Sequence, residues 1–315
     1  MADKMKKPDV RLEINGVKYG GWTKISIRRG IGQVAGTFEL SITERWPGQP
    51  IPAKIELGAS CVVTVDGAPV ITGYVDDVAP SYNAASHTVS VTGRDKTCDL
   101  VDCCPPSTQL KGATLAAVAR SLAAPFGIEV VDETGVGVVP GFKTNPGDTV
   151  FETLEQLARA KGVLLTTDGR GRLVICRASK KKAATVLELG KNVFEGKDRF
   201  SSVTVIGQTA ATETWNGKSA SQQKTVVTDA AVPRHRPLVL VADQEHQGAN
   251  KRAQWEVNVR YGKGNQATYT VYGWKDGDAL WAPNVLVRIV DPFMGLEATW
   301  LVGSVGWTLD ERGYR

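Results

Sequence analysis

The sequence predicts a β-rich α+β protein in which two β-barrel modules flank an inserted small α/β module. Three observations carry this reading. Apolar residues alternate at period two through the first hundred residues. Two segments of helical periodicity then fall between 101 and 185. Period two returns from 186 to 315, interrupted by a polar insertion near 208–250. Alternation at two marks a half-buried strand and spacing at three and four marks an amphipathic helix, so the expected modules span 1–100, 101–185 and 186–315.

In the first module, Val10, Leu12 and Ile14 share one face of a strand running to Val17, and Arg11, Glu13 and Asn15 share the other. Ile25 and Ile27 alternate with Lys24, Ser26 and Arg28, and Phe38, Leu40 and Ile42 alternate with Thr37, Glu39, Ser41 and Thr43. "CVVTVDGAPVITGYVDDV" reads as a hairpin whose Asp66-Gly67 step supplies a two-residue turn. With the strand through Val89 and Val91, some six short strands each carry one apolar face, which fits a small barrel or sandwich.

In the middle module, "GATLAAVARSLAAPFGIEV" places Leu115, Val118 and Leu122 on one helical face, and Pro125 ends the helix. "NPGDTVFETLEQLARAKG" opens with Thr149 and Glu152 at capping-box spacing, or with Asp148 as the cap. Val150, Leu154, Leu157 and Ala158 form its buried stripe, and Gly162 suits the residue after the helix. A hairpin turning at Asp168–Gly171 follows. "ASKKKAAT" reads as a solvated linker.

In the last module, "FSSVTVIG" is a strand and 208–224 a long polar loop or hairpin. A short helix is expected around Gln247–Trp255. "WEVNVRY", "ATYTVYGW", "NVLVRIV" and "TWLVGSVGWTL" are expected strands. Any strand returning after "DERGYR" would lie outside the sequence.

The totals exclude several classes. The chain has 315 residues, 42% of them hydrophobic and 23% charged, which is globular composition. A net charge of +5 permits contact with a polyanion but is too small to imply nucleic-acid binding. No apolar run approaches the ~18–20 residues of a membrane span. "MADKMKKPDV" lacks the apolar stretch of a secretory signal, so ordinary export is not expected. Five cysteines, an odd number, are expected as reduced thiols. His87, Cys98, Cys103 and Cys104 have no zinc-ligand spacing, so buried or half-buried free thiols are the reading and no metal is expected.

No catalytic constellation or cofactor motif is present. There are three histidines, His87, His235 and His246, and no GxSxG, HExxH or Walker A sequence. Asp76 and Asp77 are adjacent on a strand and are expected to face opposite ways. Lys180–Lys182 fits a solvated run better than a phosphate site. Trp255, Tyr269, Tyr272 and Trp274, expected on strands, fit cross-strand packing better than base stacking. "GDT" before an amphipathic helix resembles, over about ten residues, the start of a LysM repeat. The DGRG hairpin that follows departs from that pattern, so a capped helix in an α/β module is the reading taken.

The order of the modules says more than any residue. "VDGAPVITGYVDDVAPSYNAASHTVSVTGRDKTCDLVDC", then "GATLAAVARSLAAPFGIEV", then "GDTVFETLEQLARAKGVLLTTDGRGRLVI" resemble Mu-type baseplate hub proteins of contractile phage tails. The resemblance covers most of 8–210, more loosely the remainder, and extends weakly to the hub part of VgrG proteins and the T4-type hub. Gly93-Arg94-Asp95 then marks the end of the first barrel, and Leu100–Cys104 the crossing into the α/β unit. Arg94 and Asp95 are expected to make structural polar contacts there.

The resemblance implies a non-enzymatic scaffold: a homotrimeric ring of the virion baseplate, assembled in the host cytoplasm. It would seat a central spike protein on one side and a tail tube or distal tail protein on the other. Other baseplate proteins would surround it, DNA would meet it only in transit, and no membrane insertion is implied. The alternative is a cell-wall or nucleic-acid binding module. The strands named as subunit-interface candidates carry Lys24, Ile25, Ile27 and Arg28 on one side and Val285, Val287, Arg288 and Ile289 on the other. Their backbone edges and polar faces are the expected contact.

Overall fold

The computed structural model describes residues 7–43, 55–82, 87–188, 191–194, 198–206, 224–241, 249–293 and 295–315. It is β-rich, with helices of eight residues or more at Leu115–Ala123, Val150–Lys161 and Ala249–Gly264 among the described residues.

The first module is built on one nine-stranded sheet. Its order is Val17–Tyr19, Val10–Ile14, Ser60–Val65, Ala68–Tyr82, His87–Asp95, Gln33–Thr43, Lys24–Gly30, Ser304–Asp310 and Gly313–Tyr314. Alternation is faithful: Leu12, Ile27, Leu40, Val63 and Ile71 are fully buried in its core. The Asp66-Gly67 turn is the one expected, with φ 49° and 82° and Val65 paired to Ala68. The same device breaks the run Val10–Val17, because Asn15 and Gly16 also have positive φ and turn the chain back on itself.

Two glycines let neighbouring strands of the sheet approach closely. A Cβ on Gly73 would lie 2.8 Å from the carbonyl carbon of Arg94 and closer still to its oxygen. A Cβ on Gly93 would lie 2.5 Å from Phe38 Cζ. A side chain has no room at either place.

The last two strands correct an expectation. Ser304–Asp310 pairs with Lys24–Gly30, so Trp307 lies opposite Ile27 and Leu309 opposite Ile25. "TWLVGSVGWTL" is therefore two strands in two different sheets, and its second half completes the first module's sheet. Gly313–Tyr314 returns against it.

The helices of the middle module follow the sequence. Leu115, Val118, Leu122, Val150 and Leu154 are fully buried together. Thr149 is the cap of the second helix: its Oγ1 accepts from Glu152 N at 3.1 Å, and Glu152 Oε2 accepts from Thr149 N at 2.8 Å. Gly162 ends that helix with φ 66°. The hairpin Leu164–Thr167 and Leu173–Cys176 follows, joined in parallel by Val130–Asp132. A separate pair, Gln109–Thr114 with Val138–Lys143, has no counterpart in the sequence reading.

The remaining strands form smaller sheets. Leu286–Asp291 lies between Lys182–Leu187 and Leu296–Leu301. Lys182 thus begins a strand where a linker was expected. Ser202–Ile206 lies between Lys224–Thr228 and Pro237–Val241, and Lys191–Phe194 pairs with Asn265–Thr268. Most of the polar insertion near 208–250, with His246, lies outside the described residues. "WEVNVRY" is not a strand: it belongs to the helix Ala249–Gly264, which packs Ala253 against Val203 and Val205. None of Trp255, Tyr269, Tyr272 and Trp274 is on a strand.

Candidate assembly surface

Both strands named as interface candidates are interior ones. Lys24–Gly30 is hydrogen-bonded to Gln33–Thr43 on one side and Ser304–Asp310 on the other. Leu286–Asp291 is likewise paired on both sides. Their backbone edges are already used, so the expected edge-to-edge contact is not open to them. Ile25, Ile27, Val287 and Ile289 are buried, and Val285, half-buried, accepts from Val302 N at 2.8 Å.

The polar faces remain. Lys24 Nζ lies 3.0 Å from Glu39 Oε1, and Arg288 Nη2 2.6 Å from Glu297 Oε1, each pair crossing to the neighbouring strand. Arg28 is exposed and makes no ion pair among the described residues. Lys24 and Arg288 are thus neutralised in place, and Arg28 is the cation of the three with charge to spare.

A surface the sequence reading missed lies on the sheet Lys224–Thr228, Ser202–Ile206, Pro237–Val241. Val226 and Val239 both stand opposite Thr204, and Val241 opposite Ile206. Val226, Val239 and Val241 are 50%, 58% and 52% exposed. The other face of this sheet packs on the helix Ala249–Gly264. The signal was the unbroken apolar run from Pro237 to Val241: a strand with one wet face alternates, and this one does not. Among the described residues, Lys224–Thr228 and Pro237–Val241 are both edge strands. A partner could pair along an edge as well as cover the face.

The seam after the first sheet is structural. Arg94 Nε donates to Asp76 Oδ2 at 2.7 Å, and its Nη2 lies 2.9 Å from Asp102 Oδ2 in the short helix Cys98–Asp102. These hydrogen bonds, to Asp76 first and Asp102 second, raise the affinity of the guanidinium for its proton. Asp95 is fully buried, and its Oδ1 accepts from Thr97 N and Oγ1. Asp76 and Asp77 do not face opposite ways: a bulge between Val75 and Asp77 leaves both exposed, with Asp76 bound to Arg94.

Three of the five thiols are taken up in packing. Cys61, Cys98 and Cys176 are buried, Cys103 is half-buried and Cys104 is exposed, all as free thiols. Among the described residues no cluster of His, Cys, Asp or Glu is placed to hold a metal ion. The guanidinium groups of Arg159 and Arg252 lie over the Trp255 ring, 5.7 Å and 5.3 Å from its centroid. Trp274 is 3% exposed, so the four aromatics do not form a stacking platform. No helix of the described residues is long and apolar enough to cross a membrane.

Comparison with known proteins gives four matches in chain order. Residues 9–95 match the family model described as Mu phage baseplate assembly protein GpP-like, N-terminal. Residues 97–177 match the second domain of baseplate hub protein gp44-like proteins. Residues 199–254 match the third domain of tail protein NMB1110-like proteins, and 245–315 the fourth domain of Mu phage baseplate assembly protein GpP. The baseplate hub protein gp44 of Escherichia phage Mu is 35% identical over 315 residues, covering 94% of this chain and 82% of the Mu protein. The crystal structure of the prophage MuSo2 43 kDa tail protein from Shewanella oneidensis superposes with a TM-score of 0.86 at 38% identity, over 97% of this chain and 96% of that one. A tail protein from Neisseria meningitidis MC58 shares the fold with a TM-score of 0.84 at 24% identity, over 98% and 94% of the two chains.

Proposed function

The chain belongs to the family of Mu phage baseplate hub proteins and is a structural protein, not an enzyme; from that premise we propose that three copies close into a ring on the axis of a contractile tail. The ring seats a trimeric central spike on one side and the six-fold tail tube on the other, and leaves a channel through which DNA passes. Each chain offers two β modules, which in this reading curve into barrels, so a trimer presents six similar walls. Three-fold and six-fold partners are then matched without distortion of either.

The observation that carries this reading is the exposed apolar face of Val226, Val239 and Val241 on a sheet whose two outer strands have no further neighbour among the described residues. A closed ring needs a patch on each copy that meets a different patch on the next. A contact of this kind must bury at least about 1,000 Å² in total, more than one small sheet face supplies. The polar faces of Lys24, Arg28 and Arg288 complete it as a rim, while Ile25, Ile27, Val285, Val287 and Ile289 hold those strands in place from inside.

The test is the molar mass by light scattering, alone and with the spike, together with the position of a tagged copy in assembled particles. A trimer in either state, on the tail axis, is expected. A monomer under both conditions, or a copy placed off the axis, overturns the reading.

A further inference from the structure

The two-stranded ribbon of Gln109–Thr114 and Val138–Lys143 turns a basic face to solvent. Gly141 pairs with Lys111 and Lys143 with Gln109, so these four residues share one face, and all four are exposed. On the opposite face, Phe142 and Leu110 pack into the core of the α/β module. Lys111 and Lys143 are thus diagonal neighbours, about 7–8 Å apart. Lys161 continues the row at the other end of the strand: its Nζ donates to the Val138 carbonyl at 2.7 Å, which leaves two of its three donors. Lys251, on the helix Ala249–Gly264, stands beside it, and a Cβ on Gly162 would lie 3.8 Å from the Lys251 Cβ. Burial first, and then the charge of Lys251, push the Lys161 ammonium below its usual value. Among the described residues none of these four lysines is in an ion pair with a carboxylate, and neither ribbon strand contains an acid.

Gly141 sits between the two ribbon lysines for no internal reason. Its φ is not positive, and a Cβ built on it meets nothing within 4 Å. Glycine weakens a strand, so one that neither a turn nor a neighbour requires marks a place where another backbone comes close. We propose that this face is the docking site of an acidic segment of another protein. The segment lies extended along Val138–Lys143 and sets its carboxylates on Lys143, Lys111 and then the Lys161–Lys251 pair. Carboxylates at alternate positions of an extended chain repeat about every 6.7 Å, which suits the diagonal spacing of Lys111 and Lys143. Five residues of strand, about 17 Å, separate Lys143 from Val138, where Lys161 is bound. A nucleic acid suits the face less. The face has no arginine for bidentate phosphate contacts and no exposed aromatic for a base to stack on. Lysines also keep edge strands from pairing, but that role has no use for a bare Gly141. The site is separate from the proposed ring contact and does not rest on it.

The test is fluorescence anisotropy of the full chain with a labelled peptide of about twelve residues alternating Glu and Thr, long enough to span the row. Binding that weakens with added salt is expected. Lys111→Glu with Lys143→Glu should lower the affinity at least about tenfold, and this variant should instead bind an alternating Lys-Thr peptide. Lys180→Glu with Lys181→Glu changes the net charge equally and should have little effect. Gly141→Val should fold as the wild type does and lower the affinity about tenfold by filling the bare position. No binding by the wild type, equal losses in the two double variants, or unchanged affinity in the valine variant overturns the proposal. Tighter binding of a single-stranded oligonucleotide of the same length overturns it too. Self-association of the chain that the Lys111 and Lys143 changes abolish would make the occupant a second copy and also overturn it. If Gly141→Val fails to fold, the charge-reversed pair of protein and peptide decides.

Discussion

Arg94 and Asp76 face each other across neighbouring strands, with Nε donating to Oδ2 at 2.7 Å, and the same guanidinium reaches Asp102. The cluster is half-exposed, so solvent screens it. Arg94→Ala is expected to lower stability by about 1 kcal/mol, the upper end for exposed pairs, because one residue serves two carboxylates. Urea unfolding measures this. A loss several times larger would mean that the seam depends on this arginine far more than its exposure allows.

Gly73→Ala should be far more damaging. The added methyl would meet the backbone of Arg94 and Asp95, which rotamer changes cannot move aside. A loss of more than about 4 kcal/mol, seen as insoluble protein or lost circular dichroism, is expected. Normal folding of this variant would show that the two strands can separate at that point.

The thiols should divide by burial. Cys104 should react rapidly with a thiol reagent in the native protein and Cys103 more slowly, while Cys61, Cys98 and Cys176 react only after unfolding. Burial pushes Cys61 and Cys98 up to about 12 and Cys176 up to about 11. Only the thiolate attacks, so these three stay inert near neutral pH. The unfolded chain gives up these protons from about pH 9, whereas the folded chain retains them. Stability should therefore fall as pH rises from about 9 towards 12. Replacing Cys98, Cys103 and Cys104 should leave zinc content at zero, and stoichiometric zinc in the purified wild type would contradict this.

Asp276 clamps an edge strand. Its carboxylate accepts from Ala184 N at 2.9 Å, Thr185 N at 2.8 Å and Thr185 Oγ1 at 2.8 Å. Partial burial opposes its ionisation, but these three bonds together outweigh it and hold the group below its usual value of 3.8. The stabilisation is present above about pH 4 and is lost as pH falls through the lowered folded value. Asp276→Ala should therefore speed amide exchange in Lys182–Leu187 at neutral pH. Unchanged exchange would assign the protection to the pairing with Leu286–Asp291 alone.

Val239→Asp puts a charge on the exposed sheet face without touching a core. The monomer should lose less than about 0.5 kcal/mol, as for most surface changes. Trimer formation should be abolished. A variant that still forms trimers would move the ring contact elsewhere on the molecule.

The sequence was most legible where local rules decide. Thr149 and Glu152 announced a helix start, and Asp66-Gly67 a turn, because both devices act within four residues. "WEVNVRY" misled for a physical reason. Trp255, Val257, Val259 and Tyr261 alternate as a strand would, yet tertiary packing of Ala253 sets the element. The helical clue was there in the charges: Arg252 and Arg260 lie four residues either side of Glu256 and bind it at 2.7 and 3.1 Å. The candidate interface strands had the right burial pattern, but alternation says nothing about how many neighbours a strand has. Only the pairing of Ser304–Asp310 shows that Lys24–Gly30 is interior. The apolar face at Val226 and Val239 was legible in principle, but both residues fell inside the stretch read as a polar insertion near 208–250.

That same pairing constrains how the chain is made. Lys24–Gly30 leaves the ribosome long before Ser304–Asp310, so the pairing of the two strands in the first sheet waits for the whole of the chain between them. The middle module, with its local helices and hairpin, has no such delay. Contacts so distant in sequence are slow to form, because loop closure must precede any gain from pairing. Until then the strand carrying Ile25 and Ile27 has one side unpaired, and a truncated product never covers it. Early termination is thus marked by an open β-edge, the feature that chaperones and aggregation both act on.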